Sequence, residues 1–124
     1  MLDTILVSLG AVLGVNIRFI MYRKFEKRNI SKYSCILLIN TFASFLLGLV
    51  LSFLPRISFY DLSYRLGLFL IIGFLGSLST FSTFFYDLFS LLLKLKFCGA
   101  IKLFFISSTL GIIAVAFGFF LGNL

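Results

Sequence analysis

The sequence predicts an all-α membrane protein of four transmembrane helices, the third of them broken in mid-membrane. Three observations carry that prediction. Apolar residues make up 61% of the 124-residue chain and charged residues only 12%. That is about half the charged share of a soluble domain, so most of the surface faces lipid. The apolar residues form four runs, at about 2–21, 35–54, 66–93 and 100–122, each as long as, or longer than, the roughly 20 residues that cross hydrocarbon as a helix. The third run carries in its middle Gly73-Phe74-Leu75-Gly76-Ser77-Leu78-Ser79-Thr80-Phe81-Ser82-Thr83-Phe84, which packs two glycines and five hydroxyl side chains into twelve positions. Irregular backbone survives at membrane depth only where protein or a watery path satisfies it, so this stretch, with a break near 76–80, marks a site.

The first helix, about 2–21, is apolar except for Ser8, Asn16 and Arg18. Its Gly10-Ala11-Val12-Leu13-Gly14 is a GxxxG, which lets two backbones approach closely. Arg18 lies near the boundary. It either snorkels to the headgroups or sets a fixed positive charge at a pore mouth. Tyr22 to Ser34 is the one clearly hydrophilic stretch. The second helix, about 35–54, ends at Pro55, and Asn40, Ser44 and Gly48 share one of its faces. An amide in hydrocarbon needs a partner, so Asn40 either joins helices or offers its NH₂ to an anion. Pro55 to Arg65 reads as a short polar loop. The third run exceeds a straight crossing, which suits a broken or tilted helix. Lys94 to Gly99 reads as a tight basic turn before the fourth helix, about 100–122. The whole chain reads as a single transmembrane domain.

Charge gives the expected topology. Eight basic residues (Arg23, Lys24, Lys27, Arg28, Lys32, Lys94, Lys96 and Lys102) flank the first and third loops, against two, Arg56 and Arg65, at the second. The positive-inside rule then makes the first and third loops cytoplasmic and leaves both termini outside. The net charge of +7 belongs to these membrane flanks, which argues against nucleic acid as a partner.

The chain has no histidine, and its four acids, Asp3, Glu26, Asp61 and Asp87, fall near helix ends or in loops. Transition-metal sites and histidine acid–base chemistry are therefore not expected, and the chain is not read as an enzyme. A proton-coupled transporter usually needs an intramembrane carboxylate or histidine, so passive conduction is favoured. If the third helix breaks near Gly76–Thr80, freed carbonyls suit a small hard cation. The hydroxyls there either donate to a passing ion or bond back to carbonyls of their own helix. Phe81 and Phe84, three apart, project from one side of a helix, and ring edges are electropositive.

These residues resemble a known family. The stretch from Gly73 to Phe84 resembles the GFxGGxTTFSTF signature of the Fluc/CrcB fluoride channels. Gly10 to Phe19 resembles that family's GxxxGAxxRY pattern, and Asn40 to Gly48 its NxxGSFxxG pattern. The resemblance implies a fluoride-selective channel in a bacterial inner membrane that lets fluoride leave the cell passively. It implies an antiparallel dimer with two narrow pathways, and a central Na⁺, structural and not transported. Carried onto this chain, Gly76 and Ser79 would hold the Na⁺ through backbone carbonyls. Asn40, Phe81, Thr83, Phe84 and Ser107 would lie along the fluoride pathway, with Arg18 at its mouth. Ser77 and Ser79 stand where glycine and threonine are usual, Ala43 replaces a glycine, and Leu103, Phe104 and Phe105 stand where a tyrosine or asparagine often faces the path.

The charge bias adds a further expectation. A chain inserted both ways needs nearly balanced loops, and eight against two instead favours one orientation and an opposite-facing, related subunit over pairing with itself. Two other classes fit four short helices. A small multidrug exporter needs a glutamate in its first helix, which 2–21 lacks. A non-conducting membrane adaptor needs no ordered motif set.

Overall fold

The computed structural model describes all residues, 1–124. It is entirely helical: α1 (Leu2–Lys27), α2 (Lys32–Phe53), a 3₁₀ turn (Leu54–Arg56), α3 (Tyr60–Gly67), a π-helical stretch (Leu68–Leu75), the single turn α4 (Gly76–Leu78), α5 (Phe81–Leu93) and α6 (Phe97–Asn123). Taken as continuous rods these form four spans long and apolar enough to cross a membrane: Leu2–Lys27, Lys32–Arg56, Tyr60–Leu93 and Phe97–Asn123. The chain is a multi-pass membrane protein.

Local chemistry sets the ends. α1 runs on past Met21 to Lys27, because the basic residues there are good helix formers. Asn29 then turns the chain at φ 56°, a left-handed conformation that asparagine tolerates better than most residues. Ser31 caps α2 by accepting from the Ser34 N–H at 3.3 Å. Pro55 opens the 3₁₀ turn that ends α2, since proline has no N–H to continue the ladder. The expected polar loop at 55–65 shrinks accordingly, because α3 takes up its second half. The turn between α5 and α6 is also tighter than its sequence suggests, with Leu95 at φ 57° and α6 starting at Phe97.

Packing divides the chain into two seams. α1 lies along the π-helical stretch and α4, whereas α6 lies along α2, and α5 bridges to α2 and α6. Both seams are backbone-to-backbone contacts made possible by glycine. A Cβ on Gly10 or Gly14 would strike the backbone of Phe69 or Phe74, and one on Gly48 or Gly118 that of Val115 or Phe45. Only 17 of 124 residues are buried, so a single chain has little interior, and most of its apolar side chains face outward to lipid or to another protein. The small core forms where Ala43 of α2 meets Leu75 and Leu78 of the third crossing, directly beside the helix break.

Candidate functional site

The third crossing loses its helix at two residues. Ser79 (φ −72°, ψ 154°) and Thr80 (φ −138°, ψ 113°) are both extended. A continuous helix would send the Thr80 N–H to the Gly76 carbonyl and the Thr83 N–H to the Ser79 carbonyl, each four residues back. Neither bond forms. The Thr80 N–H donates to Asn40 Oδ1 at 2.8 Å, and the Thr83 N–H donates to Thr80 Oγ1 at 3.4 Å. The Ser79 N–H keeps its helical bond to the Leu75 carbonyl at 3.1 Å. The diverted amides thus leave the carbonyls of Gly76 and Ser79 without their helical partners.

Asn40 therefore joins helices: its Nδ2 also donates to the Thr80 carbonyl at 3.1 Å. Its NH₂ carries a second hydrogen, which this pair does not use. Thr80, only 8% exposed, is the N-cap of α5, and its hydroxyl donates to Thr83 Oγ1 at 3.0 Å. Thr80 thus holds the centre of the break, a role that the sequence reading spread over five hydroxyl residues. The signal for it was a threonine just ahead of an apolar helical run. Three serines take the back-bonding alternative. Ser77 donates to the Phe74 carbonyl and Ser79 to the Leu75 carbonyl, each at 3.0 Å, and Ser44 to the Asn40 carbonyl at 2.9 Å.

Two separate grooves flank the break. The first, of about 290 Å³, is walled by α1, α2 and α5, and brings together Arg18, Phe19, Ile39, Thr80 and Thr83. It holds one cation, three hydroxyls (those of Tyr22, Thr80 and Thr83) and no carboxylate. The second, of about 170 Å³, lies between α2 and the limb before the break and is lined by Ser44, Gly76 and Ser79 with apolar neighbours. Its donor set is oxygen only, and the chain holds no cluster of His, Cys, Asp or Glu. Backbone carbonyls and hydroxyls of this kind suit a hard, weakly charged cation rather than a transition metal.

The remaining residues singled out from the sequence lie outside these grooves. Phe81 is 75% exposed on the outer surface and its ring packs against Phe85 at 5.8 Å, while Phe84 is half-buried. The i,i+3 pair is thus not a stacked unit within one chain. The hydroxyl of Ser107 is buried with no hydrogen-bond partner. Sequence reasoning missed Asp87, which is 3% exposed and makes the chain's one ion pair, with Lys32 Nζ at 3.7 Å.

Comparison with known proteins follows the same lines. The CrcB-like protein family, Camphor Resistance (CrcB), matches residues 5–119. The chain is 56% identical over 123 residues to the fluoride-specific ion channel FluC 2 of Prochlorococcus marinus (strain NATL2A), covering 99% of each protein. It is 38% identical over 120 residues to the fluoride-specific ion channel FluC 1 of Parasynechococcus marenigrum (strain WH8102), covering 97% of this chain and 93% of that one. It is 45% identical over 86 residues to the fluoride-specific ion channel FluC of Pyrococcus horikoshii, covering 69% and 65%. The chain belongs to the CrcB family, and relatives that it matches along nearly their whole length are named fluoride-specific ion channels.

Proposed function

We infer that the chain is a subunit of a fluoride-selective channel that lets fluoride leave the cell passively. The 56% identity to a fluoride-specific channel along 99% of both chains carries this reading, and the Arg18–Thr83 groove supplies chemistry for it. Fluoride is small and strongly hydrated, so a path must replace lost water with donors. Arg18 forms no ion pair, which leaves its charge to attract anions. Thr83 gives its N–H to Thr80 Oγ1 and accepts the Thr80 hydroxyl. Its own hydroxyl proton is then free to point at an anion, polarised by that closed pair. The spare Asn40 N–H, the buried Ser107 hydroxyl and the edges of Phe81 and Phe84 complete the proposed path. The exposure of Phe81 suits a ring that serves a neighbouring subunit. No bond is broken, so the activity is not enzymatic.

The Gly76 and Ser79 carbonyls, with their helical amides diverted, suit a structural Na⁺. Such an ion takes more oxygens than one chain offers in its open groove, so it would sit between two chains, offsetting repulsion among their carbonyls. That arrangement places the break in mid-membrane, at the centre of an antiparallel pair and of a single transmembrane domain spanning 1–124. Eight basic residues against two support one orientation, with the first and third loops cytoplasmic in a bacterial inner membrane and both termini outside. They also favour a related, opposite-facing subunit as partner. The relatives named FluC 2 and FluC 1 fit organisms with more than one such subunit.

Fluoride release from liposomes tests the reading, with a fluoride electrode, a K⁺ gradient and valinomycin. Fast fluoride release without chloride release from this chain alone would establish a channel and remove the need for a second subunit. Release only after adding an opposite-facing relative would establish the pair. Silence in both arms would sink the channel reading. A terminal tag that reports from the cytoplasm would overturn the topology.

A further inference from the structure

The outward face of α1 carries a second charged groove that fluoride conduction leaves unused. Ile20, Arg23, Lys24 and Lys27 recur at i, i+3, i+4 and i+7, a spacing that puts them on one stripe of a helix. With Phe19 they line a groove of about 280 Å³. All three cations are exposed, and the Arg23 guanidinium lies 5.7 Å from the centroid of the Phe19 ring. No counter-charge meets them. Glu26, the one acid in this part of α1, pairs with none of them, because the single ion pair of the chain is Lys32–Asp87.

The groove is graded along the helix axis. Phe19 and Ile20 belong to the apolar run, whereas Arg23, Lys24 and Lys27 follow its end at Met21. Hydrocarbon at one end and three unneutralised cations about a turn further on match one ligand chemistry: an acyl chain joined to a phosphate. Basic clusters just outside a membrane span attract anionic headgroups, and the neighbouring Phe19 and Ile20 add an apolar surface on the same helix. A soluble polyanion would use the cations but gain nothing from Phe19 and Ile20.

We propose that this groove binds an anionic phospholipid, its phosphate among Arg23, Lys24 and Lys27 and its acyl chain against Phe19 and Ile20. Phe19 also walls the Arg18 groove. The bound lipid and the Arg18 groove therefore share the Phe19 ring as a wall. The site stands independently of the fluoride reading, because its assay measures lipid retention and no flux.

Native mass spectrometry of the intact purified chain tests it. Delipidated protein in detergent is offered phosphatidylglycerol and phosphatidylcholine, with and without inorganic phosphate. The variant Arg23→Gln/Lys24→Gln/Lys27→Gln is compared with the charge-matched Lys94→Gln/Lys96→Gln/Lys102→Gln. Wild type retains phosphatidylglycerol in preference to phosphatidylcholine. The α1 variant loses that retention by on the order of a hundredfold, from three headgroup contacts, and the matched variant keeps it. Lys27→Gln alone gives a fewfold loss, a readout that stands if the triple variant is poorly folded. Equal retention of the two lipids, equal loss in the two triple variants, or displacement by inorganic phosphate would each overturn the proposal.

Discussion

The side chain of Asn40 and the backbone of Thr80 bond to each other twice, at 2.8 and 3.1 Å, across forty residues of sequence. One amide group thus accepts the Thr80 N–H that the interrupted helix leaves free and gives the Thr80 carbonyl a second donor beside the first bond of α5. The interruption is stable because a second helix supplies the missing acceptor.

Removing that amide is therefore costly. Asn40→Ala leaves the Thr80 N–H unpaired, at about 1–3 kcal/mol when desolvated, and leaves the Thr80 carbonyl with only the first bond of α5. The variant should melt well below wild type and lose fluoride release. Asn40→Asp keeps an acceptor for the Thr80 N–H and loses the donor, so its melting temperature should fall between the two. Thermal unfolding in detergent, read beside flux, checks the order. Normal stability and flux in Asn40→Ala would refute it.

Thr80→Val removes the cap of α5. The Thr83 N–H loses its acceptor, at a cost of about 1 kcal/mol for a lost N-cap, and the Thr83 hydroxyl loses the donor that orients it. Thr80→Ser keeps both bonds. Flux through Thr80→Ser should approach wild type, and flux through Thr80→Val should fall by more than its loss of stability explains.

Lys32 and Asp87 join the start of α2 to α5, with the carboxylate buried and the lysine half exposed. Lys32→Met leaves a buried charge alone, which is worse than removing both charges. Melting temperatures should rank wild type and Lys32→Met/Asp87→Asn together, above Lys32→Met. A double variant less stable than Lys32→Met would show that the pair does not couple these helices.

Sodium should stabilise the assembled protein more than a bulky organic cation at equal ionic strength, with saturation. Ser79→Ala should leave this effect intact, because the proposed ligand is a carbonyl. Asn40→Ala should weaken it, because the side chain that holds the break, and with it the Gly76 and Ser79 carbonyls, is gone. Unfolding against sodium concentration reads both.

Sequence periodicity and charge suffice to find four spans, and the crowding of glycine and hydroxyl residues points to an interruption near 76–80, of which the structure takes only Ser79 and Thr80 out of the helix. Local signals reach no further. The π-helical winding of Leu68–Leu75 falls in an apolar run, where nearly every position is hydrophobic and no period stands out. The pairing of Asn40 with Thr80 and of Lys32 with Asp87 depends on how α2 meets α5, which no window of residues contains. Asp87 looks like a boundary residue from its place near a helix end, and only packing shows it to be buried. Residues 60–65, read as loop for their charges, become helix because those charges sit on one side of a short amphipathic turn.

The glycines of the two seams have a consequence at the level of the gene. Every single-base change in the first two positions of a glycine codon brings in a residue with a Cβ or stops the chain. At Gly10, Gly14, Gly48, Gly73 and Gly118 that carbon meets the backbone of a neighbouring helix, which no change of rotamer can move aside. A compensating substitution would have to shift a whole helix. Inheritance at these five codons is therefore close to all-or-nothing, while the outward-facing positions around them are free to drift among apolar residues.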